Sequence, residues 1–418
     1  MAEIFQARLD AHFGADHAPP ADAISARVTA ASSGEIRVSV TDNLAAIEQD
    51  WRTFEAQADC TVFQSFDWLS LWQRHIGAVT GVTPAIVIGR DTAGSVLFLL
   101  PLSVSAGSVA RELCFLGDDL CDYNAPMLAA NFPERVDRAR FLVLWEKIKL
   151  TVQGHPQLDF DYINFSKMPE QVGNQPNPML YLSVTPNASG AYLTHLEGDW
   201  ETFYSAKRTS HARKGDRNKR RRLSEFGEIN LFSPENSADA VRVFEILVEQ
   251  KTKSFARMGV ANLFAKPGYA DFFRAVASDP AGRDLVHVSM LTVGGVPAAA
   301  NLGLTYRGCF YHLLASYDDG EVARYGPGAA HLSDLLKFAL THGFKIFDFT
   351  IGDERYKRDW CDTELKLYDY LSASHWRGIL VAMPMMVMMG LKRWIKQTPM
   401  ARDAYFKVRT FIGSLTRR

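Results

Sequence analysis

The chain has no pattern of cysteine or histidine that would indicate a disulfide framework or a metal site. Its 418 residues include five cysteines, none of them in a Cys-x-x-Cys pair, which argues against a zinc site and leaves reduced thiols as the expected state. The eleven histidines show no metal-ligand spacing,. The sequence therefore predicts no metal cofactor and favours a cytoplasmic protein.

The chain also has little net charge. It contains 46 lysines and arginines against 47 aspartates and glutamates, a net charge of −1, so any surface for nucleic acid or membrane must be local. Residues 1–34 lack the basic start and apolar block of a signal peptide,. Their alanine, aspartate and proline content predicts a flexible leader.

What the chain does contain is a repeated order of predicted elements: strand, two helices, three strands, helix, strand. The first copy comprises residues 36–40, 44–54, 68–76, 85–88, 96–104, 113–116, 134–150 and 160–165. The second comprises residues 228–232, 238–255, 269–276, 285–292, 297–305, 309–316, 329–342 and 345–349. The repeat predicts an α/β fold of two tandem domains, 35–185 and 186–375, with mixed, mostly antiparallel sheets flanked by helices.

A glycine-rich turn precedes the predicted helix 329–342. A helix that starts after glycines presents free backbone N–H groups and a positive dipole end to phosphate. The residues predicted to bind a phosphorylated carrier are Arg324, Tyr325, Gly326, Gly328 and Ala329. The matching segment of the first copy, 121–126, has no Gly-x-Gly, so carrier binding is predicted for the second copy alone.

Ionisable side chains cluster in and after the predicted strand 345–349. They are Asp348, Asp353, Glu354, Tyr356 and Lys357. Acyl transfer requires a base for the acceptor's proton and donors for the oxyanion, so these residues are the catalytic candidates. Ordinary solvated loop carboxylates are the competing interpretation for Asp353 and Glu354.

Three motifs carry a resemblance to a known family. They are Asp-Tyr-x-x-Pro at 122–126, Tyr-x-Pro-Gly at 325–328 and Asp-Phe-x-x-Gly-x-x-x-Tyr-Lys-x-x-Trp at 348–360. Together with the element order they resemble the CelD/BcsL-type acyltransferases of the GNAT superfamily. These are bacterial proteins linked to cellulose and other exopolysaccharides, and are related to the FemAB peptidoglycan transferases.

The resemblance implies two tandem GNAT-like domains, with acetyl-CoA as co-substrate in the second. The acceptor would be an amine or hydroxyl of a sugar or lipid-linked precursor. FemAB relatives use aminoacyl-tRNA instead, and their lysine at a similar place favours Lys357 as catalytic. The chain departs from the usual Arg/Gln-x-x-Gly-x-Gly/Ala motif, because Arg324-x-Gly-x-Gly-Ala is one residue shorter. An inactive binding subunit of a polysaccharide complex is a further alternative.

Two more sets of residues are candidates for substrate binding. Asp122 and Tyr123 lie on the first copy's equivalent of the active-site edge, where a groove between domains would hold the acceptor. Residues 207–222 carry nine basic residues, including Lys207 and Arg208, against Asp216 alone. This run predicts either an exposed basic helix or a phosphate-binding surface. Few aromatics are interleaved for base stacking, which argues against nucleic acid.

The tail, residues 376–418, differs in composition from the rest of the chain. Its apolar run 378–391 is shorter than the roughly 20 residues that span a bilayer. Nine lysines and arginines face one acidic residue, Asp403. The tail predicts either an interfacial helix on an anionic inner membrane or a Met-rich helix that docks on protein.

Overall fold

The computed structural model describes residues 35–398 except 118, 280, 281, 283 and 284. The predicted leader, 1–34, and the tail beyond 398 lie outside the described residues.

The first half contains helices on both sides of a long sheet. Its strands are β1 (Arg37–Thr41), β2 (Val82–Arg90), β3 (Val96–Ala106), β4 (Arg111–Phe115), β5 (Met127–Leu128) and β6 (Tyr162–Pro169). Its main helices are α1 (Leu44–Glu55), α2 (Phe66–Trp72), α3 (Phe132–Arg135) and α4 (Arg138–Gln153), and α2 continues into a π-helical segment, Gln73–Gly77. Asn43 and Asp137 cap α1 and α4 by accepting from amides three residues on,.

Short strands and two helices lead into the second half. They are β7 (Gln171–Val172), β8 (Gln175–Pro176), β9 (Thr185–Pro186), β10 (Ala191–His195), α5 (Trp200–Lys207) and α6 (Ser210–Ser224). The second unit then follows as β11 (Ile229–Phe232), α7 (Ser237–Met258), α8 (Tyr269–Ser278), β12 (Val286–Val293), β13 (Val296–Tyr306) and β14 (Cys309–Tyr317). It continues with α9 (Pro327–Thr341), β15 (Ile346–Ile351), α10 (Arg355–Arg358), β16 (Thr363–Leu365), β17 (Leu367–Ala373) and α11 (Trp376–Gln397).

The two sheets are completed by strands from outside their own repeat. The first has the order β1-β2-β3-β4-β6-β17-β9, with β5 beside β3, and the second the order β11-β12-β13-β14-β15-β10-β16. The sequence did not predict β10 or β17. Strand β17 follows the second copy but pairs antiparallel with β6 of the first. The predicted boundary at 185/186 therefore does not separate the two sheets completely.

One parallel strand pair in each sheet opens into a wedge. In the second sheet, β14 and β15 pair in parallel only from Cys309–Tyr311 to Ile346–Asp348. Beyond Tyr311, none of the described strands pairs with β14 on its β15 side, whereas β15 continues to pair with β10 along its other edge. The first sheet repeats this geometry with two paired positions between β4 and β6. A backbone edge is thereby left for an extended ligand in the second half.

The two halves share a hydrophobic core. Trp68 on α2 packs edge-on against Phe272 on α8, with ring centroids 4.8 Å apart. Phe63 contacts both Tyr123 and Tyr311, at 5.7 and 5.8 Å. Buried aromatic rings contribute heavily to packing, so these contacts fix the first half against the wedge of the second.

The structure corrects two predicted boundaries. Helix α9 begins at Pro327, between the glycines, rather than at residue 329. Proline suits the first helical position because its φ is preset and no N–H is lost there. The predicted strand 345–349 is Ile346–Ile351 in the structure, and the short helix Arg355–Arg358 follows it.

Candidate active site

The centre of the candidate site is a buried carboxylate held by a tyrosine from the other half. The hydroxyl of Tyr123 donates to both Asp348 oxygens, at 2.8 Å to Oδ1 and 2.9 Å to Oδ2. Both side chains are buried. Tyr123, predicted to contact the acceptor, and Asp348, predicted to be catalytic, are thus in direct contact, although they are far apart in the chain.

Burial raises the pKa of Asp348 to about 7, against an ordinary 3.8. The backbone N–H of Thr350, 2.7 Å from Oδ1, and the Tyr123 hydroxyl oppose this rise by stabilising the anion. The neighbouring Asp122 carboxylate adds to it. A carboxyl group with a pKa near neutrality can exchange a proton in either direction at physiological pH.

Asp122 is a second carboxylate of the same cluster and is only partly buried. Burial raises its pKa, while Lys167, Lys357 and hydrogen bonds from the Thr350 hydroxyl and the Ile351 amide lower it. Asp122 therefore borders the end of β15, and it is more open to solvent than Asp348. The pairing of two carboxylates in unequal environments is an arrangement that separates acid and base roles.

Thr350 links the two carboxylates and has a strained backbone. Its φ is +58°, a region that β-branched residues rarely occupy. The hydrogen bond from its amide to Asp348 offsets part of the cost,. The sequence motif has no feature that predicts this conformation, because threonine ordinarily favours extended backbone.

Lys357 is buried and fixes the polypeptide after β15. Its Nζ donates to the carbonyl oxygens of Thr350 (3.3 Å) and Ile351 (2.8 Å), and pairs with Glu354 at 3.0 Å. An ammonium group has three N–H donors, so these acceptors use all of them. The geometry gives Lys357 a positioning contact, and its predicted direct role in catalysis stays a prediction.

Two residues of this region were not predicted from the sequence. Burial lowers the pKa of Lys251 on α7, and Lys357 lowers it further, whereas Glu354 raises it. Burial also lowers the pKa of His312 on β14 to about 3, with Lys357 and Lys251 contributing. His312 is therefore neutral beside two lysines. No sequence pattern marks these two residues, because a lysine in a long amphipathic helix and a histidine in a strand are common and ordinarily have no part in a site.

The other predicted catalytic residues follow β15, with Asp353 and Glu354 in the connecting loop and Tyr356 in α10. Asp353, Glu354 and Tyr356 are exposed. Burial of the Tyr356 hydroxyl and the nearby Glu354 raise the tyrosine's pKa, which favours the phenol over the phenolate. The structure brings these residues close to Lys357 but not into contact with Asp348.

The glycine turn lies at the start of α9. Gly326 has φ +69°, a left-handed conformation that glycine adopts without strain,. The amides of Ala329 and Ala330 both donate to the Gly326 carbonyl at 3.1 Å. Because Pro327 has no N–H, the Gly328 amide is the first-turn donor that is not engaged there.

The remaining predicted carrier-binding residues have side-chain contacts of their own. The Arg324 guanidinium lies 4.9 Å from the centre of the Tyr325 ring, and Tyr325 packs against Phe226. Lys219 of α6 reaches the turn, since a Cβ built on Gly326 would be 4.0 Å from its Nζ. Arg220 binds Asp334 of α9 through two 3.0 Å contacts. A basic helix is thus fixed beside the turn, and its charge would favour an anion there.

Lys207 and Arg208 are occupied by ion pairs. Lys207 Nζ lies 2.7 Å from Asp362, and Arg208 binds Asp216 and Asp359 at 3.1 Å each. The Arg208 guanidinium also covers the Trp360 ring at 5.3 Å. These contacts hold α5 against the loop after α10, and the predicted substrate role of the two residues stays a prediction.

Among residues 35–398, apart from the five positions not described, no group of histidine, cysteine, aspartate or glutamate side chains has a metal-binding arrangement.

Part of the second half is similar to a known family. Residues 210–358 match the family "Acetyltransferase (GNAT) domain". No curated protein is significantly similar to the chain. Among solved structures, FemX is similar with a TM-score of 0.51 and 10% identity, over 79% of this chain and 96% of that one. At this identity the likeness shows the fold alone.

Two other solved structures are similar at lower TM-scores. A conserved protein of unknown function from Bacteroides thetaiotaomicron VPI-5482 gives 0.48 with 14% identity, over 80% of this chain and 100% of that one. L-PGS from Bacillus licheniformis gives 0.47 with 11% identity, over 83% and 96%. The chain has a fold of two tandem GNAT-like domains, and its residues 210–358 match a GNAT acetyltransferase domain.

Proposed function

We propose that the protein transfers an acyl group, most simply acetyl, from acyl-CoA to an amine or hydroxyl of a saccharide or lipid-linked precursor in bacterial envelope or exopolysaccharide synthesis. The observation that carries the proposal is the coincidence of the GNAT match with the wedge between β14 and β15. Both strands of the wedge lie in the matched segment, Asp348 lies where their pairing ends, and a Cβ built on Gly328 would be 3.3 Å from Tyr317 at the end of β14.

The donor would bind along the free edge of β14. Backbone N–H and C=O groups beyond Tyr311 face the wedge and suit the amide-containing arm of CoA, in the manner of an added strand. The Gly328 amide, the α9 dipole and Lys219 would receive the diphosphate,. Arg324, Tyr325 and Ala329 shape this turn.

The acceptor would approach from the first half. Asp122, which is partly open to solvent, would take the proton from the acceptor nucleophile, while Asp348 and Tyr123 hold the cluster in place. The nucleophile attacks the thioester carbonyl, the C–S bond breaks, and Tyr356 gives a proton to the leaving thiolate. Lys251 would stabilise the developing oxyanion by charge.

Titration calorimetry with acetyl-CoA tests the donor site. We expect Gly328→Trp to bind at least about tenfold more weakly, because the indole fills the turn that receives phosphate. Gly390→Trp is the matched control, since a Cβ there meets no atom within 4 Å. Unchanged affinity in Gly328→Trp would overturn the assignment, and an absence of acetyl-CoA binding by the wild type would overturn the donor.

Aminoacyl-tRNA is the second candidate donor. The tandem fold shared with FemX and the basic helix α6 beside the glycine turn favour it. Incubation with charged tRNA and candidate acceptors distinguishes the two donors, because transfer from tRNA with no acetyl-CoA affinity would replace the CoA proposal.

A further inference from the structure

Helix α11 carries an apolar stripe that faces solvent along its whole length. The stripe consists of Trp376, Leu380, Met383, Val387, Leu391 and Trp394. Successive members are three or four residues apart, which places all of them on one face of a helix. Each is exposed, with Leu380 at 59% and Val387 at 63%.

The opposite face of α11 is fixed to the first half of the protein. A Cβ on Gly378 would lie 2.1 Å from the Asp161 carbonyl oxygen, so only glycine allows this approach. Ala382 is buried, and Arg393 donates to the Pro186 carbonyl at 3.4 Å. Both ends of the helix therefore contact one domain, and the helix lies along the protein surface.

The length and the charges of α11 indicate how it meets a lipid phase. Of the described helices, α11 is the one long and apolar enough to be a candidate membrane span. Its uncharged run 378–391, however, covers only about 21 Å, against a hydrocarbon core of about 30 Å. Arg377 borders the run on one side, Lys392 and Arg393 on the other, and the two ends of the stripe are tryptophans.

We infer that α11 binds the protein peripherally to an anionic membrane surface, with the stripe inserted at the interface and the flanking Arg377 and Lys392 on lipid phosphates. Tryptophan favours the interfacial region, and basic residues beside an apolar face favour anionic lipid. From 376 to 418 nine basic residues oppose Asp403 alone, a net charge of +8 that leaves −9 for the rest of the chain (−1 − 8).

The same charges favour lipid over a second copy of this chain. Two α11 helices related by a twofold axis would bring like charges together at both ends, which is unfavourable.

Strand β17 leads into α11 and contributes Asp369, whose carboxylate accepts from the Lys167 amide at 3.0 Å. The positive charge of Lys167 in turn lowers the pKa of Asp122. Strand β17 would therefore connect the membrane-bound helix α11 to Asp122, on the side of the candidate site that the first half forms.

Flotation of the full-length protein with vesicles tests the inference. The vesicles are phosphatidylcholine alone or phosphatidylcholine with phosphatidylglycerol. We expect the wild type to float with the anionic vesicles, less so at high salt, and Leu380→Glu/Val387→Glu to partition at least about tenfold more weakly. The matched control is Val143→Glu/Leu150→Glu on α4, whose side chains are 63% and 69% exposed with the same spacing.

The possible outcomes distinguish membrane binding from self-association through the stripe. The inference is supported if the wild type and the control float equally while the α11 variant stays in the dense fraction. The circular dichroism spectrum of the α11 variant must be unchanged, which shows that it is folded. Failure of the wild type to float, or undiminished flotation of the α11 variant, would overturn it. Equal binding to neutral vesicles would remove the anionic requirement. Sedimentation as a dimer that only the α11 variant dissociates, without vesicle binding, would assign the stripe to self-association.

Discussion

The buried carboxyl group of Asp348 makes the stability of the folded protein depend on pH. Its folded pKa of about 7 lies above the ordinary 3.8, so the folded state holds the proton more tightly than the unfolded chain. The stabilising contribution is complete below about pH 4 and is lost as the pH rises towards about 7. Within that window the slope approaches about 1.4 kcal/mol per pH unit.

Asp348→Asn removes this titration but keeps an acceptor for Thr350 and Tyr123. We expect the free energy of unfolding of the variant, relative to wild type, to increase between about pH 4 and about pH 7. Urea unfolding at several pH values measures the difference. Asp353→Asn, an exposed carboxylate on the following loop, serves as the control. A difference that does not change with pH would contradict the raised pKa of Asp348.

At the scale of single elements, α11 depends on one close backbone approach. Gly378→Ala places a methyl group 2.1 Å from the Asp161 oxygen, and we expect a loss of about 1–3 kcal/mol in unfolding free energy as the helix is displaced from β6. Gly390→Ala, in the same helix, meets nothing within 4 Å and should gain about 0.5–1 kcal/mol from helix propensity. Thermal unfolding of both variants is the measurement. Equal effects at the two glycines would mean that α11 is not packed on the domain.

At the scale of the whole molecule, the exchange of strands makes the halves interdependent. A chain that ends after Ser374 retains β17 and should fold, whereas a chain that ends after Lys366 leaves the β6 edge unpaired. Exposed edges of this kind pair with other chains, so we expect the shorter chain to aggregate. Size-exclusion chromatography and circular dichroism compare the two. Equal unfolding midpoints would show that β17 is dispensable to the first sheet.

Much of this architecture could be predicted from the sequence because its signals are local. The repeated element order, the mixed sheets and the glycine turn follow from periodicity and turn residues within short segments. The predicted helix at 269–276, for example, is Tyr269–Ser278 in the structure. The sequence also points to Asp348, Tyr356 and Lys357, because a strand end beside an anion-binding turn suits acid–base chemistry. Their roles in catalysis stay predictions.

Local periodicity is sufficient to predict two α/β units and the segments on which the candidate site lies, because it sets the type of each element. Three features depend on the folded chain: Tyr123 binds Asp348, β10 and β17 complete the sheets, and backbone carbonyls hold Lys357. Strand pairing and burial join residues distant in sequence, and the pKa of Asp348 depends on the closure of the two halves. The positive φ of Thr350 likewise arises from partners that no local pattern specifies.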